Sequence, residues 1–373
     1  MISVAFHVDQ IFYDTPGGIG TYIRELVPAL AAADGAPELT LFHSSFPGRR
    51  AEAWMDRFPI HQLPHGIRRL YLEWAFVGRP PLPADLAALN LIHAPSPVAV
   101  PPAGDGQRLV VTVHDLAFRV YPRLFPAVWR NLFRAGVRRV AANADALITV
   151  SEHTARDLVA FTRADPNRVH VIPLAASLPE ATAEPDLVIE RLKVPRRYLL
   201  FVGVLEPRKN LVRLVRAYRR AVAAGGLPHA LVLAGPMGWH SRQLLREVAT
   251  SGPGDVVLTG RVGARELDAL YRGASAFAYP SLYEGFGLPV LEAMVRGVPV
   301  VTSAVSSLPE VAGDAAVLVE PRSTGQLAQA IERVLSEEDL AARLSAAGRA
   351  RASAFSWERT ARMTLQVYEK VVG

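Results

Sequence analysis

The stretch "ASAFAYPSLYEGFGLPVLEAMVRGVPVVTS", residues 274–303, decides the fold class. It opens on an apolar run of strand length, breaks at Pro280, and crosses a loop from Ser281 to Gly287. An apolar helix then begins at Leu288 and Pro289, where a proline's missing N–H costs little. A second apolar run, "VPVVTS", closes the segment. Strand, helix and strand in that order read as one crossover of a parallel sheet, whose buried strands are continuously apolar.

The same alternation extends in both directions, so the fold class is α/β. Towards the C-terminus, "AVLVEP" (316–321) supplies a further strand. Towards the N-terminus, "RYLLFVG" (197–203), "HALVLAG" (229–235) and "VVLTG" (256–260) complete a set of six. An earlier set lies at 2–8, 39–43, 90–94, 109–115, 146–151 and 169–173. Between the sets, three prolines and mixed charge mark a connection over 176–196. The pattern predicts two Rossmann-like domains, 1–175 and 197–355.

Composition agrees with that division. A chain of 373 residues exceeds what one core usually covers, and half of it is hydrophobic against 20% charged. The absence of cysteine excludes disulfides and thiolate chemistry. No basic leader precedes "MISVAFHV" and no run of 18 apolar residues occurs, so a cytoplasmic protein is expected. The net charge of +6 suits contact with phosphates or an anionic surface and does not single out nucleic acid. Arginines 130, 134 and 138 are spaced for one helix face, which reads as a solvated face or a membrane-facing one.

In an open parallel sheet, ligands bind beyond the carboxyl ends of the strands, and four segments place polar or glycine residues there. In "DTPGGIGTYIREL" (14–26), Gly17 and Gly18 enter a helix whose bare amides can face an anion, or they form a structural turn. A dinucleotide fingerprint fails, because its third glycine falls at Ile23. Pro28 predicts a kink in that helix. In "VTVHDLAF" (111–118), His114 emerges at a strand end, where imidazole can bond a hydroxyl or accept a proton. In "FVGVLEPRKNLVRLVRAY" (201–218), a strand ends at Gly203 and a helix begins near Asn210. Glu206, Arg208 and Lys209 lie between, and the adjacent cations suit a phosphate or a charged surface turn. In the opening stretch, Glu284 and Glu292 flank a helix N-terminus with free amides at "GFGLP", and carboxylates accept paired hydrogen bonds from sugar diols.

Together these segments resemble the GT-B glycosyltransferases, specifically retaining family 4 (group 1) with its bacterial mannosyl- and glucosyltransferases. The resemblance rests on "GGIGTYIREL", "VHD", "VSEHTARDL" (150–158), "GVLEPRKNL", "LAGP" (233–236), "LTGRV" (258–262), "YPSLYEGFGLPVLEAMVRGVPVVTS" and "LPEVAGDAAVLVEP" (308–321). Glu284 and Glu292 match that family's E-x7-E signature. The resemblance implies two Rossmann-like domains with a deep interdomain cleft that closes during the reaction. It further implies that the last helix, about 356–373, packs back on the first domain. The donor, a nucleotide-diphosphate sugar, would lie on the C-terminal domain and the acceptor on the N-terminal one. Arg208 and Lys209 would hold the diphosphate, helped by Gly17, Gly18, Gly203, Phe286 and the amides of Gly287 and Leu288. Glu292 would take the ribose, Glu284 the hydroxyls of the transferred sugar, and His114 a hydroxyl near its 6-position. Arg261 and Val262 would lie against the base.

No Asp-x-Asp occurs, so protein cations and helix dipoles are expected to neutralise the leaving diphosphate, with no metal and no cofactor beyond the nucleotide-sugar co-substrate. The closeness to polysaccharide mannosyltransferases suggests GDP-mannose as donor. A glycan, lipid-linked or small-molecule acceptor is the expected second partner, at the cytoplasmic side with a peripheral contact to an anionic membrane. A sugar-nucleotide epimerase, a phosphorylase or a silent nucleotide-sugar binder on the same plan are the alternatives.

Overall fold

The computed structural model describes residues 1–177 and 185–373 and divides into two compact units. The first comprises Met1–Ala175 with Ser356–Gly373, and the second Ala176–Phe355.

The first unit is built on a seven-stranded sheet in the order β3-β2-β1-β4-β5-β6-β7. Its strands are β1 (Ser3–His7), β2 (Glu38–Ser45), β3 (Ile60–Gly66), β4 (Leu91–Ala94), β5 (Arg108–Val113), β6 (Ala146–Thr149) and β7 (Val169–Val171). All pairings are parallel, and Val4 sits between Leu39 on one side and Leu91 on the other. The sheet is apolar because helices cover both its faces, and Val4, Ala5 and Phe6 are fully buried. The helix Trp357–Val372 belongs to this unit and packs on the helix Gly17–Ala31. Pro28 falls in the last turn of that first helix, which continues to Ala31.

The second unit carries a six-stranded parallel sheet in the order β10-β9-β8-β11-β12-β13. Its strands are β8 (Tyr198–Val202), β9 (Ala230–Ala234), β10 (Val256–Gly260), β11 (Ala276–Tyr279), β12 (Val300–Ser303) and β13 (Ala316–Val319). Leu199 is flanked by Leu231 and Ala276, so β8 and β11 are central neighbours although two strands intervene in sequence. Chain order reverses between them, as it does between β1 and β4. Such reversals open a crevice at the carboxyl ends of the strands.

Two expectations need correction. β3 was not anticipated: "IHQLPHG" is polar and contains Pro64, which is tolerated here because β3 is an edge strand with one side unpaired. The connection expected over 176–196 holds a helix, Pro185–Arg191, whose Val188 and Ile189 are buried against the helix Ala264–Gly273. It is part of the second unit rather than a free linker. Residues 178–184 of that connection lie outside the described residues.

Candidate functional site

In the second unit, the carboxyl ends of β8 and β11 bring two sequence-distant loops together. β8 is followed directly by Gly203, whose φ of +146° is open to glycine alone. Gly235 takes the equivalent place after β9, and a Cβ there would stand 2.0 Å from the Gly203 carbonyl oxygen. The backbones therefore approach as closely as glycine permits. Beyond Gly203 the chain does not stay an open loop; Pro207–Lys209 forms a single 3-10 turn, followed by Asn210 at φ +62° and the helix Leu211–Gly225. Asn210 fixes that turn by donating its Nδ2 to the carbonyls of Pro280 (3.0 Å) and Pro321 (2.7 Å).

Arg208 and Lys209 are consequently held inside. Lys209 Nζ lies 2.6 Å from Glu284 Oε1 and 2.6 Å from the Tyr279 hydroxyl. Arg208 donates Nη1 to Glu284 Oε2 (2.9 Å) and to the Tyr283 carbonyl (2.8 Å), while its Nη2 lies 2.9 Å from Glu206 Oε1. Glu206, Lys209 and Glu284 are all buried. Two carboxylates and two cations thus form one compact, formally neutral cluster. Burial favours the uncharged Glu284 carboxyl, but the charges of Arg208 and Lys209 and the Lys209 hydrogen bond prevail and hold it at about 2. Burial and the neighbouring Arg208 push the Lys209 ammonium down, against the pull of Glu284 and Glu206.

The Glu284 backbone is fixed as well. Its N–H donates to Ser306 Oγ (3.0 Å), and Ser307 Oγ lies 2.9 Å from its carbonyl and 2.8 Å from that of Phe286. Phe286 is buried against Phe355. Gly287, at φ +115°, caps the helix Leu288–Val295, in which Pro289 occupies the first turn. Glu292 projects from that helix, half-buried, and accepts the Tyr271 hydroxyl on Oε2 at 2.9 Å. Arg296 stacks on the Tyr271 ring at 5.0 Å and is itself held by Asp268. Arg261, exposed, and Val262, half-buried, follow β10, an edge strand and not part of this cluster.

The first unit holds the other sequence-derived residues. Gly17, at φ +61°, and Gly18 open the helix Gly17–Ala31 and are both exposed. Tyr22 on that helix meets the His114 ring edge-on, 4.9 Å between centroids. Burial pushes the His114 imidazole down to about 4, opposed by a hydrogen bond to the Pro95 carbonyl. Nε2 is buried and has no hydrogen-bond partner among the described residues. A neutral ring that donates to Pro95 through its other nitrogen presents Nε2 as an acceptor. Tyr22 is in turn held by Thr112 (2.9 Å), Thr112 by His93 Nε2 (2.8 Å), and His93 Nδ1 by Tyr368 of the last helix (2.5 Å).

Sequence reasoning did not assign Glu206, Tyr271, Tyr279 or Tyr22. Glu206 and Tyr279 stand within the segments quoted for their neighbours, and Tyr279 closes a strand, where functional side chains gather. Tyr22 lies mid-helix and Tyr271 in the last turn of one, and neither carries such a local signal.

The profile of the family "Glycosyl transferases group 1" matches residues 184–351, and that of "Glycosyltransferase Family 4" matches residues 16–178. The O-antigen chain mannosyltransferase B of Escherichia coli is 31% identical over 99% of this chain and 100% of its own length. Among solved structures, sucrose-phosphate synthase from Thermosynechococcus elongatus superposes with a TM-score of 0.76 at 22% identity, covering 99% of each chain. HepE from Anabaena, crystallised with UDP and glucose, gives 0.73 at 16% identity, with 99% of this chain and 100% of that one covered.

Proposed function

The chain belongs to the group 1 (family 4) glycosyltransferases, and from that premise we propose that it is a retaining hexosyltransferase using a nucleotide-diphosphate sugar. The observation that carries this reading is the cluster of Glu284, Arg208 and Lys209 at the chain reversal between β8 and β11. Two cations beside a glycine-capped helix start offer the charge that a leaving nucleoside diphosphate needs. Arg208 and Lys209 take the diphosphate with the amides of Gly287 and Leu288. Glu292, held by Tyr271, takes the ribose hydroxyls, and Glu284 turns to a hydroxyl of the sugar. His114 offers Nε2 to another hydroxyl of the transferred sugar.

In the reaction the bond between the anomeric carbon and the diphosphate oxygen breaks, and a bond to the acceptor oxygen forms on the same face. The acceptor proton passes to the departing phosphate oxygen, so no side chain needs to act as a covalent nucleophile. GDP-mannose is the donor we favour, supported by the mannosyltransferase relative, and a growing glycan on a lipid carrier is the acceptor. Peripheral contact with an anionic membrane belongs to the same reading.

A thermal-shift panel of nucleoside diphosphates tests it, because a ligand that binds the folded state alone raises the melting temperature by mass action. GDP is expected to give the largest shift. A largest shift with UDP would replace the base, and no shift with any member would overturn the donor site.

A further inference from the structure

The donor cluster leaves unexplained how the chain's positive charge is distributed. Residues 116–144 contain arginines at 119, 123, 130, 134, 138 and 139 and no Asp, Glu or Lys. This one segment carries +6, the formal net charge of the whole chain. None of the six arginines forms an ion pair with a carboxylate among the described residues. A solvated helix face ordinarily intersperses both signs.

The geometry brings three of these charges, Arg119, Arg134 and Arg138, together on one surface of the first unit. On the helix Ala127–Asn143, Leu132, Gly136, Val137, Val140 and Ala141 face the core. That leaves Asn131, Arg138 and Ala142 exposed, with Arg134 half-exposed beside them. Arg119, on the preceding turn Ala117–Val120, lies over the Phe161 ring at 5.3 Å. After burial, Arg134 and Arg138 are the main influences lowering the Arg119 guanidinium, so the three charges share one field. On the other flank, Arg139 stands so close to Gly78 that a Cβ there would be 2.5 Å from its Nη1.

Apolar side chains project at both flanks. Val128 is 73% and Trp129 47% exposed at the start of the helix; Phe76 and Val77, next to Gly78, are 60% and 67% exposed. Trp129 is anchored through Phe133, which stacks on Phe118. A soluble polyanion would satisfy the arginines and leave these four side chains in water. An anionic bilayer satisfies both, through its headgroups and the acyl boundary beneath them.

We propose that the surface formed by the helix Ala127–Asn143, the turn Ala117–Val120 and residues 76–78 docks this protein on an anionic lipid bilayer. The partner is the membrane surface itself, engaged by arginine–headgroup pairing with shallow insertion of Val128 and Trp129. No helix among the described residues is long and apolar enough to cross a membrane, so the attachment is interfacial. The docking surface begins at Arg119, five positions after His114, which fits an acceptor whose lipid stays in the bilayer while its glycan is extended. That consequence rests on the glycosyltransferase reading; the docking rests on this surface alone.

Co-sedimentation of the full chain with phosphatidylcholine vesicles, and with vesicles carrying 30 mol% phosphatidylglycerol, tests the proposal. Binding is expected only to the anionic vesicles and should weaken on raising the salt. An R134Q/R138Q variant should bind about 30-fold more weakly, taking each surface cation as worth about fivefold. A V128S/W129S variant should lose about tenfold at both low and high salt. The nucleoside-diphosphate thermal shift, measured on every variant, reports folding and the donor site separately. The proposal is overturned by wild-type protein that ignores anionic vesicles, or by R134Q/R138Q binding as well as wild type. It is equally overturned if V128S/W129S binds unchanged while dextran sulfate competes fully, which would make the partner a soluble polyanion. Vesicle binding without any nucleotide shift would leave the docking intact and overturn the donor site.

Discussion

Replacing Glu284 with Gln removes one negative charge from the buried cluster and keeps its shape. In the folded protein the carboxyl sits at about 2, against an ordinary 4.5. That gap corresponds to about 3 kcal/mol of stabilisation at neutral pH, comparable to the cost of breaking a buried ion pair. Because the folded value lies below the unfolded one, the contribution is complete above about pH 4.5 and drains away as the pH falls towards 2. For a unit of this size, about 3 kcal/mol lowers the melting temperature by roughly 6 to 12 °C. Differential scanning calorimetry reads the effect in the transition that a nucleoside diphosphate raises, which identifies the second unit. At pH 3.5 the difference from wild type should narrow by about 1 kcal/mol, since an unfolded glutamate is then mostly protonated and a glutamine is not. Turnover should collapse while diphosphate affinity holds or improves, because Arg208 and Lys209 lose a competing anion. A variant melting within a degree of wild type at pH 7, or one binding the diphosphate as poorly as Arg208→Ala, would refute the reasoning.

Three further outcomes follow from the same structure. His114, lowered to about 4, is neutral through the physiological range, so kcat/KM should show no inflection from it between pH 5.5 and 8, and His114→Phe should lower transfer without creating one. Tyr271→Phe removes one hydrogen bond that holds the Glu292 carboxylate and should weaken the donor by about 1 kcal/mol, with a reduced preference for ribo- over 2′-deoxynucleotides; an unchanged preference would detach Glu292 from the ribose. Gly235→Ala should destabilise the second unit by about 3 kcal/mol, as its Cβ would strike the Gly203 carbonyl, whereas Gly226→Ala, with open space around it, should cost about 1 kcal/mol by chemical denaturation.

Among the described residues, twelve of the thirteen strands were legible in sequence, most of them because a buried parallel strand leaves a continuous apolar run. β3 was not, since an edge strand with one partner tolerates the polar residues and proline that argue against a strand elsewhere. Pro185–Arg191 was hidden for another reason: its burial depends on neighbours around Gly273, more than eighty positions away, and seven residues carry too little periodicity to declare a face. The site divides in the same way. Helix starts, glycines and strand-end polar residues are local signals, and they placed Lys209 and Glu284 at a sheet's carboxyl edge. Their ion pair is not local, because 75 positions separate them and only the adjacency of β8 and β11 brings them together.

That adjacency bears on how the proposed donor site would work. The cations meant for a diphosphate are already neutralised by Glu206 and Glu284, so donor binding must be an exchange of anions. The Glu206 carboxylate pairs with Arg208, whereas Glu284 bridges Arg208 and Lys209, and it is the carboxylate whose withdrawal releases Lys209 and one side of Arg208 at once. A Glu284 displaced from its cations by the diphosphate has two oxygens seeking donors, and the hydroxyls of the arriving sugar are such donors. A nucleoside diphosphate without its sugar supplies the displacement and not the replacement, so wild type should bind it more weakly than the intact nucleotide sugar. In Glu284→Gln that advantage should shrink, because the amide was never paired to both cations. Isothermal titration of both ligands against both proteins measures the difference directly, and an advantage equal in the two would mean that Glu284 keeps its cations throughout.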